Sequence, residues 1–157
     1  MDKIKVYLAG SCSSEDRTYM CRIAAYLRTW NELDVYCPFE FKVEDAWSMS
    51  QERWADCVFH ADISAIDECD VFLMISTGRE STAGTNWEQG YAWGTQKDVI
   101  VVQITDANTS LMTFCGCDEF YNVPHKKDLT LQLHDIVENS ILRYNGPQSK
   151  VCTTVLT

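Results

Sequence analysis

The stretch Val71-Phe72-Leu73-Met74-Ile75 contains no polar side chain. A continuous apolar run of this length is typical of a parallel strand that is buried on both faces of its sheet. Val99-Ile100-Val101-Val102 is a second run of the same kind. Two more strands are predicted upstream, over residues 5–10, where the run ends in Gly and Ser, and over residues 34–37, where Pro38 stops it.

Between these runs, apolar residues recur at helical spacing. Helices are predicted after the first strand, from about residue 50, over 85–94 and over 129–142, whereas 39–49 and 77–83 predict loops. The apolar positions of the first two helices are Met20, Ile23, Ala24 and Leu27, with Ser14 or Asp16 as the cap, and then Trp54, Cys57, Val58, Ala61 and Ile66. Alternating strands and helices predict an α/β fold with a central, mainly parallel sheet and helices on both faces.

Length and charge narrow the class of protein. We expect one domain over residues 1–157, with its core at about 4–143 and a tail, 146–157, that lacks a pattern. The net charge of −10 repels phosphate backbones and anionic lipid, so neither a nucleic-acid polymer nor a membrane is an expected partner. Because no signal peptide and no membrane-spanning apolar run is visible, the expected compartment is the cytosol.

The spacing of cysteines and histidines gives little indication of a metal site. The chain has eight cysteines, but Cys115-Gly116-Cys117 is their only close pair. A metal site at that pair is an alternative to the expected reduced thiols, several of which act as small core residues. The three histidines are dispersed, and no Gly-x-Ser-x-Gly motif of a serine hydrolase is present. They are His60, His125 and His134.

The carboxyl ends of the strands are the expected position of a site. Glu88 follows the loop after the Val71–Ile75 run and falls in the first turns of a helix, where the helix dipole is expected to keep it ionised. An ionised carboxylate is a competent nucleophile toward a sugar carbon. The alternative is that Glu88 only stabilises the helix through its dipole and has no catalytic role. Trp87 beside it is expected to pack in the core.

Other candidate groups lie near the same edge. Tyr7, at the end of the first strand, can orient Glu88 through its hydroxyl, or it is simply a half-buried sheet tyrosine. Asp62, Asp67 and Asp70 lie just before the third strand, and one acidic group there can supply a proton to a departing base. Asp67 and Asp70 are expected to be turn residues.

A hydroxyl-rich loop surrounds Gly84. Ser81, Thr82 and Thr85, with backbone amides at a helix start, can bind an anion or a sugar, and ordinary N-capping is the alternative. The sequence has neither the Gly-Lys-Ser/Thr of a P-loop nor the Gly-x-Gly-x-x-Gly of a dinucleotide site after the first strand.

Three blocks, taken together, resemble the nucleoside 2-deoxyribosyltransferase family. They are Val6-Tyr7-Leu8-Ala9-Gly10-Ser11, Asp62-Ile63-x-x-Ile66-x-x-Cys69-Asp70-Val71 and Gly84-Thr85-x-x-Glu88-x-Gly90-Tyr91-Ala92, in this order over residues 4–118. The last block is the specific one. The resemblance implies a flavodoxin-like three-layer fold, a homo-oligomer whose active sites are shared between subunits, and chemistry that needs no cofactor and no metal.

The resemblance also implies a retaining mechanism in two steps. Glu88 attacks C1′ of a 2′-deoxyribonucleoside and expels the base with help from Asp62, while Tyr7 holds Glu88. A second base then attacks the deoxyribosyl-enzyme. The expected substrate-binding residues are Gly10, Ser11, Phe39, Lys42, Thr82, Gly84, Thr85, Ser110 and Met112.

The chain departs from the transferase pattern at two positions. Thr82 stands where transferases carry a sugar-binding Asp, and Ser110 stands two residues before Met112, where an Asn is typical. Hydroxyls donate hydrogen bonds to a 5′-phosphate, which an Asp would repel. Related nucleoside 5′-monophosphate N-glycosidases carry hydroxyl residues at both positions, so nucleotide hydrolysis is the second hypothesis. A non-catalytic nucleotide-binding module is the third.

The phosphate partner and the base pocket have open alternatives. Arg17 and Arg79 are phosphate partners or simple surface charges. The loop after the second strand contacts the base in this family, or here it packs on its own aromatics. The side chains concerned are Phe39, Glu40, Phe41, Lys42 and Trp47.

Overall fold

The computed structural model describes residues 2–11, 13–77, 83–123 and 129–147. The strands among these residues are β1 (Ile4–Gly10), β2 (Leu33–Tyr36), β3 (Val71–Ser76), β4 (Asp98–Gln103) and β5 (Glu119–Asn122). The α-helices are α1 (Ser14–Leu27), α2 (Gln51–Glu68), α3 (Ala83–Gly94), α4 (Leu111–Cys115) and α5 (Leu129–Asn139). Short 3-10 turns cover Pro38–Glu40, Ala46–Ser48 and Ile141–Arg143.

The strands form one sheet in the order β2-β1-β3-β4-β5, and every neighbouring pair is parallel. This is the order of a flavodoxin-like doubly wound sheet. The predicted α/β class is therefore confirmed. The sequence did not predict β5 or α4, because they have only four and five residues and show no clear period.

Alternation along β1 separates two cores, one on each face of the sheet. Val6 and Leu8 pack with residues of α1 and α5, whereas Tyr7 and Ala9 pack with residues of α2 and α3. Every residue of β3 is buried, as its unbroken apolar run predicted. The three layers place Tyr7 on the α2/α3 side.

Two details of the predicted helices are wrong. Ser13, rather than Ser14 or Asp16, caps α1, since its Oγ accepts a hydrogen bond from the Asp16 amide at 3.2 Å. In α2 only Ile66 of the predicted apolar side is buried, and Trp54 is 44% exposed. Periodicity marks a helix face but does not say whether another segment covers it.

No helix within the described ranges is long and apolar enough to cross a membrane. Several residues considered above lie outside the described residues. They are Cys12, Arg79, Ser81, Thr82, His125, Cys152 and the tail positions 148–157.

Candidate active site

Tyr7 and Glu88 are joined across the α2/α3 side of the sheet. The Tyr7 hydroxyl donates a hydrogen bond to Oε1 of Glu88 at 3.1 Å. Tyr7 is fully buried, and burial is the main cause that raises the pKa of its hydroxyl. It is therefore a neutral donor that holds the Glu88 carboxylate, as expected from the sequence.

Asp62 reaches the same place from α2. The Tyr36 hydroxyl donates to Oδ1 of Asp62 at 2.9 Å. Tyr36 and Tyr7 are register partners on β2 and β1, and their rings stack with centroids 5.4 Å apart. The fold thus brings Tyr7, Glu88 and Asp62 together.

Tyr36 is the residue of this group that sequence reasoning missed. It ends the predicted second strand, but its place beside Tyr7 depends on the register of two strands about thirty residues apart.

Burial makes both carboxyl groups harder to ionise. Burial and then the charge of Asp62 raise the pKa of Glu88 to about 7, while the Tyr7 hydrogen bond lowers it. Burial also raises the pKa of Asp62, against a hydrogen bond from Tyr36 that lowers it. Burial thus raises the pKa of Glu88, whereas its place near a helix start was expected to favour the ionised form. The dipole acts within the first turn, whereas Glu88 is the sixth residue of α3 and is desolvated.

Thr85 and Gly10 join α3 to the end of β1. The Thr85 Oγ1 donates to the Gly10 carbonyl at 2.9 Å, and Thr85 is 5% exposed. A Cβ on Gly10 would meet Sδ of Met20 at 2.5 Å, so the end of the Met20 side chain packs directly against the glycine. These contacts use the hydroxyl hydrogen of Thr85, which leaves only its acceptor lone pairs for a substrate.

Ser11 and Gly84 flank this junction differently. Ser11 is fully buried and its Oγ accepts from the Ser13 amide at 3.3 Å. Gly84 is exposed, and a Cβ there would meet nothing within 4 Å. Their predicted contacts with substrate stay predictions.

The loop after β2 is tied to α1. Arg28 donates to both carboxylate oxygens of Glu40, at 2.9 and 2.5 Å, and Arg17 donates to the Phe39 carbonyl at 3.1 Å. Phe39 packs against the core on the α1/α5 side, and Lys42 is exposed. Among the described contacts, none links this loop to Glu88. Glu40 and Arg17 are thus occupied by contacts with this loop and α1.

Ser110 and Met112 lie on a different side of α3 from Glu88. They line a cavity of about 420 Å³ together with Asn86, Gln89 and Trp93. Gln89 holds this segment, because its amide donates to the carbonyls of Thr113 and Gly116 at 2.9 and 2.8 Å. Met112 is 83% exposed. The chain therefore does not bring Ser110 and Met112 to its own Glu88.

Trp87 and Asp67 were predicted wrongly. Trp87 is 53% exposed and stacks on Tyr91, with centroids 5.7 Å apart, because it lies on the solvent side of α3. Asp67 belongs to α2 and accepts a hydrogen bond from the Tyr91 hydroxyl at 2.7 Å. Asp70 is a connecting residue, as predicted, and accepts from the Lys5 amide at 2.9 Å.

Cys21, Cys37 and Glu40 are a group of possible metal ligands in the described part of the chain, with donor atoms within 4.8 Å of one another. The Arg28 guanidinium occupies Glu40, and burial is the main cause that raises the pKa of the Cys37 thiol to about 11. A neighbouring cation and a protonated thiol both oppose metal binding. In the pair considered earlier, the Cys117 thiol donates to the Phe114 carbonyl at 3.1 Å.

Residues 6–141 match the family described as nucleoside 2-deoxyribosyltransferase. The chain belongs to this family. The resemblance drawn from the three blocks is confirmed, and the match spans every strand of the sheet from Val6 onward. Comparison with curated proteins gave no match.

Solved structures with the same fold include enzymes with two different activities. The 2-deoxyribosyltransferase of Bacillus psychrosaccharolyticus is 26% identical, with a TM-score of 0.64 over 74% of this chain and 85% of that one. The CMP N-glycosidase BcmB of Clostridium botulinum is 17% identical, with a TM-score of 0.60 over 83% and 98%. A conserved protein from Enterococcus faecalis is 15% identical, with a TM-score of 0.58 over 85% and 98%. The latter two likenesses concern the fold alone.

Proposed function

We propose that this nucleoside deoxyribosyltransferase family member cleaves the N-glycosidic bond of 2′-deoxyribonucleosides and transfers the deoxyribosyl group to another base. The observation that carries the proposal is the half-buried pair of Glu88 and Asp62, each held by a tyrosine hydroxyl. Two carboxyl groups with separate hydrogen-bond partners suit the two roles that glycosidic cleavage needs.

In the first step the Glu88 carboxylate attacks C1′ and the C1′–N bond breaks, with its electron pair leaving on the base. Protonated Asp62 gives its proton to that base. In the second step the acceptor base loses a proton to the Asp62 carboxylate and attacks C1′, which releases Glu88. A 2′-deoxy sugar favours this route, because no 2′-hydroxyl withdraws electrons from the oxocarbenium-like transition state.

Hydrolysis of nucleoside 5′-monophosphates is the second candidate function. Thr82 and Ser110 supply hydroxyls where transferases have Asp and Asn, and the Ser110 side chain makes no capping hydrogen bond at α4. Because the Ser110 hydroxyl does not cap α4, it can donate a hydrogen bond to a phosphate oxygen. In this reaction water replaces the acceptor base at the second step.

We also propose a homo-oligomer with shared sites. Met112 and Leu111 are 83% and 79% exposed and lie away from Glu88 of the same chain. Large apolar side chains this exposed are typical of interaction surfaces. In the oligomer, a second subunit contributes its Ser110 and Met112 to the site around Glu88.

One assay set tests these proposals. The protein is incubated with 2′-deoxyribonucleosides and a free acceptor base, and separately with deoxynucleoside 5′-monophosphates alone. Base exchange supports transfer, and base released only from the phosphorylated substrates supports hydrolysis. The Glu88→Ala variant is expected to lose either activity by at least about a thousandfold. Binding without any turnover would instead indicate the non-catalytic module.

A further inference from the structure

Tyr36 makes a side-chain hydrogen bond from the sheet to α2. Its hydroxyl lies 2.9 Å from Oδ1 of Asp62, in the middle of α2. Ile66 is the buried residue of that helix, and residues 51–56 are exposed. The hydrogen bond therefore ties a carboxyl group in the middle of α2 to the sheet.

The ring of Tyr36 is itself held by a row of aromatic rings across three strands. Tyr36 stacks on Tyr7 with centroids 5.4 Å apart, and Tyr7 stacks on Phe72 at 5.3 Å. Because the rings are fixed, each hydroxyl points to its own carboxyl group, Tyr7 to Glu88 and Tyr36 to Asp62. Each tyrosine thus donates a hydrogen bond to only one of the two carboxyl groups.

We propose that Tyr36 is a positioning residue that makes Asp62 a stronger proton donor, so that the requirement for Tyr36 grows as the leaving base becomes poorer. This inference rests on the function proposed above. An O–H donor stabilises a carboxylate more than a carboxylic acid, and Asp62 becomes a carboxylate as it gives up its proton. The Tyr36 bond is therefore stronger after proton transfer than before it, which is the condition for accelerating that step.

The same hydrogen bond is a cause that lowers the pKa of Asp62 against its burial. The titratable groups around Asp62 are Tyr36 of β2, Tyr7 of β1 and Glu88 of α3. Tyr7 contacts Glu88 rather than Asp62 by hydrogen bonding. It is therefore the matched control, because its hydroxyl acts on the nucleophile.

The test compares Tyr36→Phe and Tyr7→Phe on two leaving groups, since each variant keeps its ring and its stacking. The purine pair is 2′-deoxyguanosine and its N7-methylated form, which leaves without needing a proton. The pyrimidine pair is 2′-deoxyuridine and its 5-fluoro derivative, and whichever pair the wild type cleaves is used. Tyr36→Phe is expected to lower kcat by about tenfold on the poor leaving group and by less than about twofold on the good one. Tyr7→Phe is expected to slow both alike.

A double variant separates a positioning role from a structural one. If Tyr36 acts through Asp62, adding Tyr36→Phe to Asp62→Asn causes no further loss. Full additivity, or equal slowing of both leaving groups by Tyr36→Phe, would overturn the inference while leaving the proposed function intact. If Glu88→Ala instead kept wild-type activity, the proposed function would be overturned.

A measurement without turnover tests the inference independently of catalysis. Titration of ¹³C-labelled aspartate carboxyl groups by NMR is expected to show a higher pKa for Asp62 in Tyr36→Phe than in the wild type. Asp62→Asn identifies the signal, and a thermal melt confirms that each variant is folded. An unchanged Asp62 pKa would contradict the inference.

Discussion

Tyr7 and Tyr36 face each other on adjacent parallel strands, and their stacked rings each direct a hydroxyl to a different carboxyl group. Neighbouring parallel strands present register partners on the same face of the sheet. The α2/α3 side therefore receives both hydroxyls at one place. Glu88 from α3 and Asp62 from α2 meet them there, and the site's protonation follows from this arrangement.

The pH dependence of turnover is expected to follow Glu88. The active pair must hold one proton, with Glu88 ionised and Asp62 protonated. Since burial and the charge of Asp62 have moved the pKa of Glu88 to about 7, kcat/KM should fall as pH rises through a midpoint near 7, where the pair loses its last proton. The Tyr7 hydrogen bond lowers that pKa, so Tyr7→Phe should move the midpoint to higher pH. Initial rates from pH 4 to 9 measure both. A kcat/KM that keeps rising above pH 7 would contradict this expectation.

Glu88 is also expected to reduce stability at high pH. Its folded pKa lies above the unfolded value, so the folded state binds the extra proton and loses stability as pH rises from 4.5 to about 7. Glu88→Gln removes this loss. Urea unfolding should find the variant more stable than wild type by an amount that grows to the order of 3 kcal/mol above pH 7 and vanishes below pH 4.5. A difference that is the same at every pH would contradict the expectation.

Thr85 is expected to contribute to stability through its bond to Gly10. Thr85→Val keeps the shape but leaves the Gly10 carbonyl without this buried donor. The loss should be about 1–3 kcal/mol in the free energy of unfolding. Thr85→Ser keeps the hydroxyl and serves as the control, with a clearly smaller loss. Equal effects of the two substitutions would assign the role to the methyl group instead.

Shared sites are expected to allow complementation between two inactive variants. Glu88→Ala removes the nucleophile, and Met112→Asp alters the exposed segment without disturbing the core. Each variant alone should be inactive. Co-refolding them in equal amounts should restore about a quarter of wild-type activity, since one site in four combines an intact Glu88 with a neighbour's intact Met112. No recovery would place both residues in a site formed by one chain.

Much of the fold followed from local pattern. The unbroken run of β3 and the Gly-terminated run of β1 predicted parallel strands, because only strands covered on both faces can be apolar throughout. Helix α5 followed from its spacing. In contrast β5 and α4 escaped prediction, since four and five residues are too few to show a strand or helix period.

The site divides in the same way. Glu88, Tyr7 and Asp62 were identified from residue motifs, and the structure brings them together. The raised pKa of Glu88 was not predictable, because desolvation depends on what surrounds the helix. Trp87 is the converse case, since its apolar character predicted burial and its position on α3 exposes it.

By itself the sequence determined the class of fold, the family and the identity of the two carboxyl groups, because apolar periodicity and motif spacing are local properties. Only the tertiary structure decided that Tyr36 holds Asp62, that Thr85 binds Gly10, and that Met112 lies away from Glu88. Those contacts depend on strand register and helix placement, which are set by packing over the whole sheet.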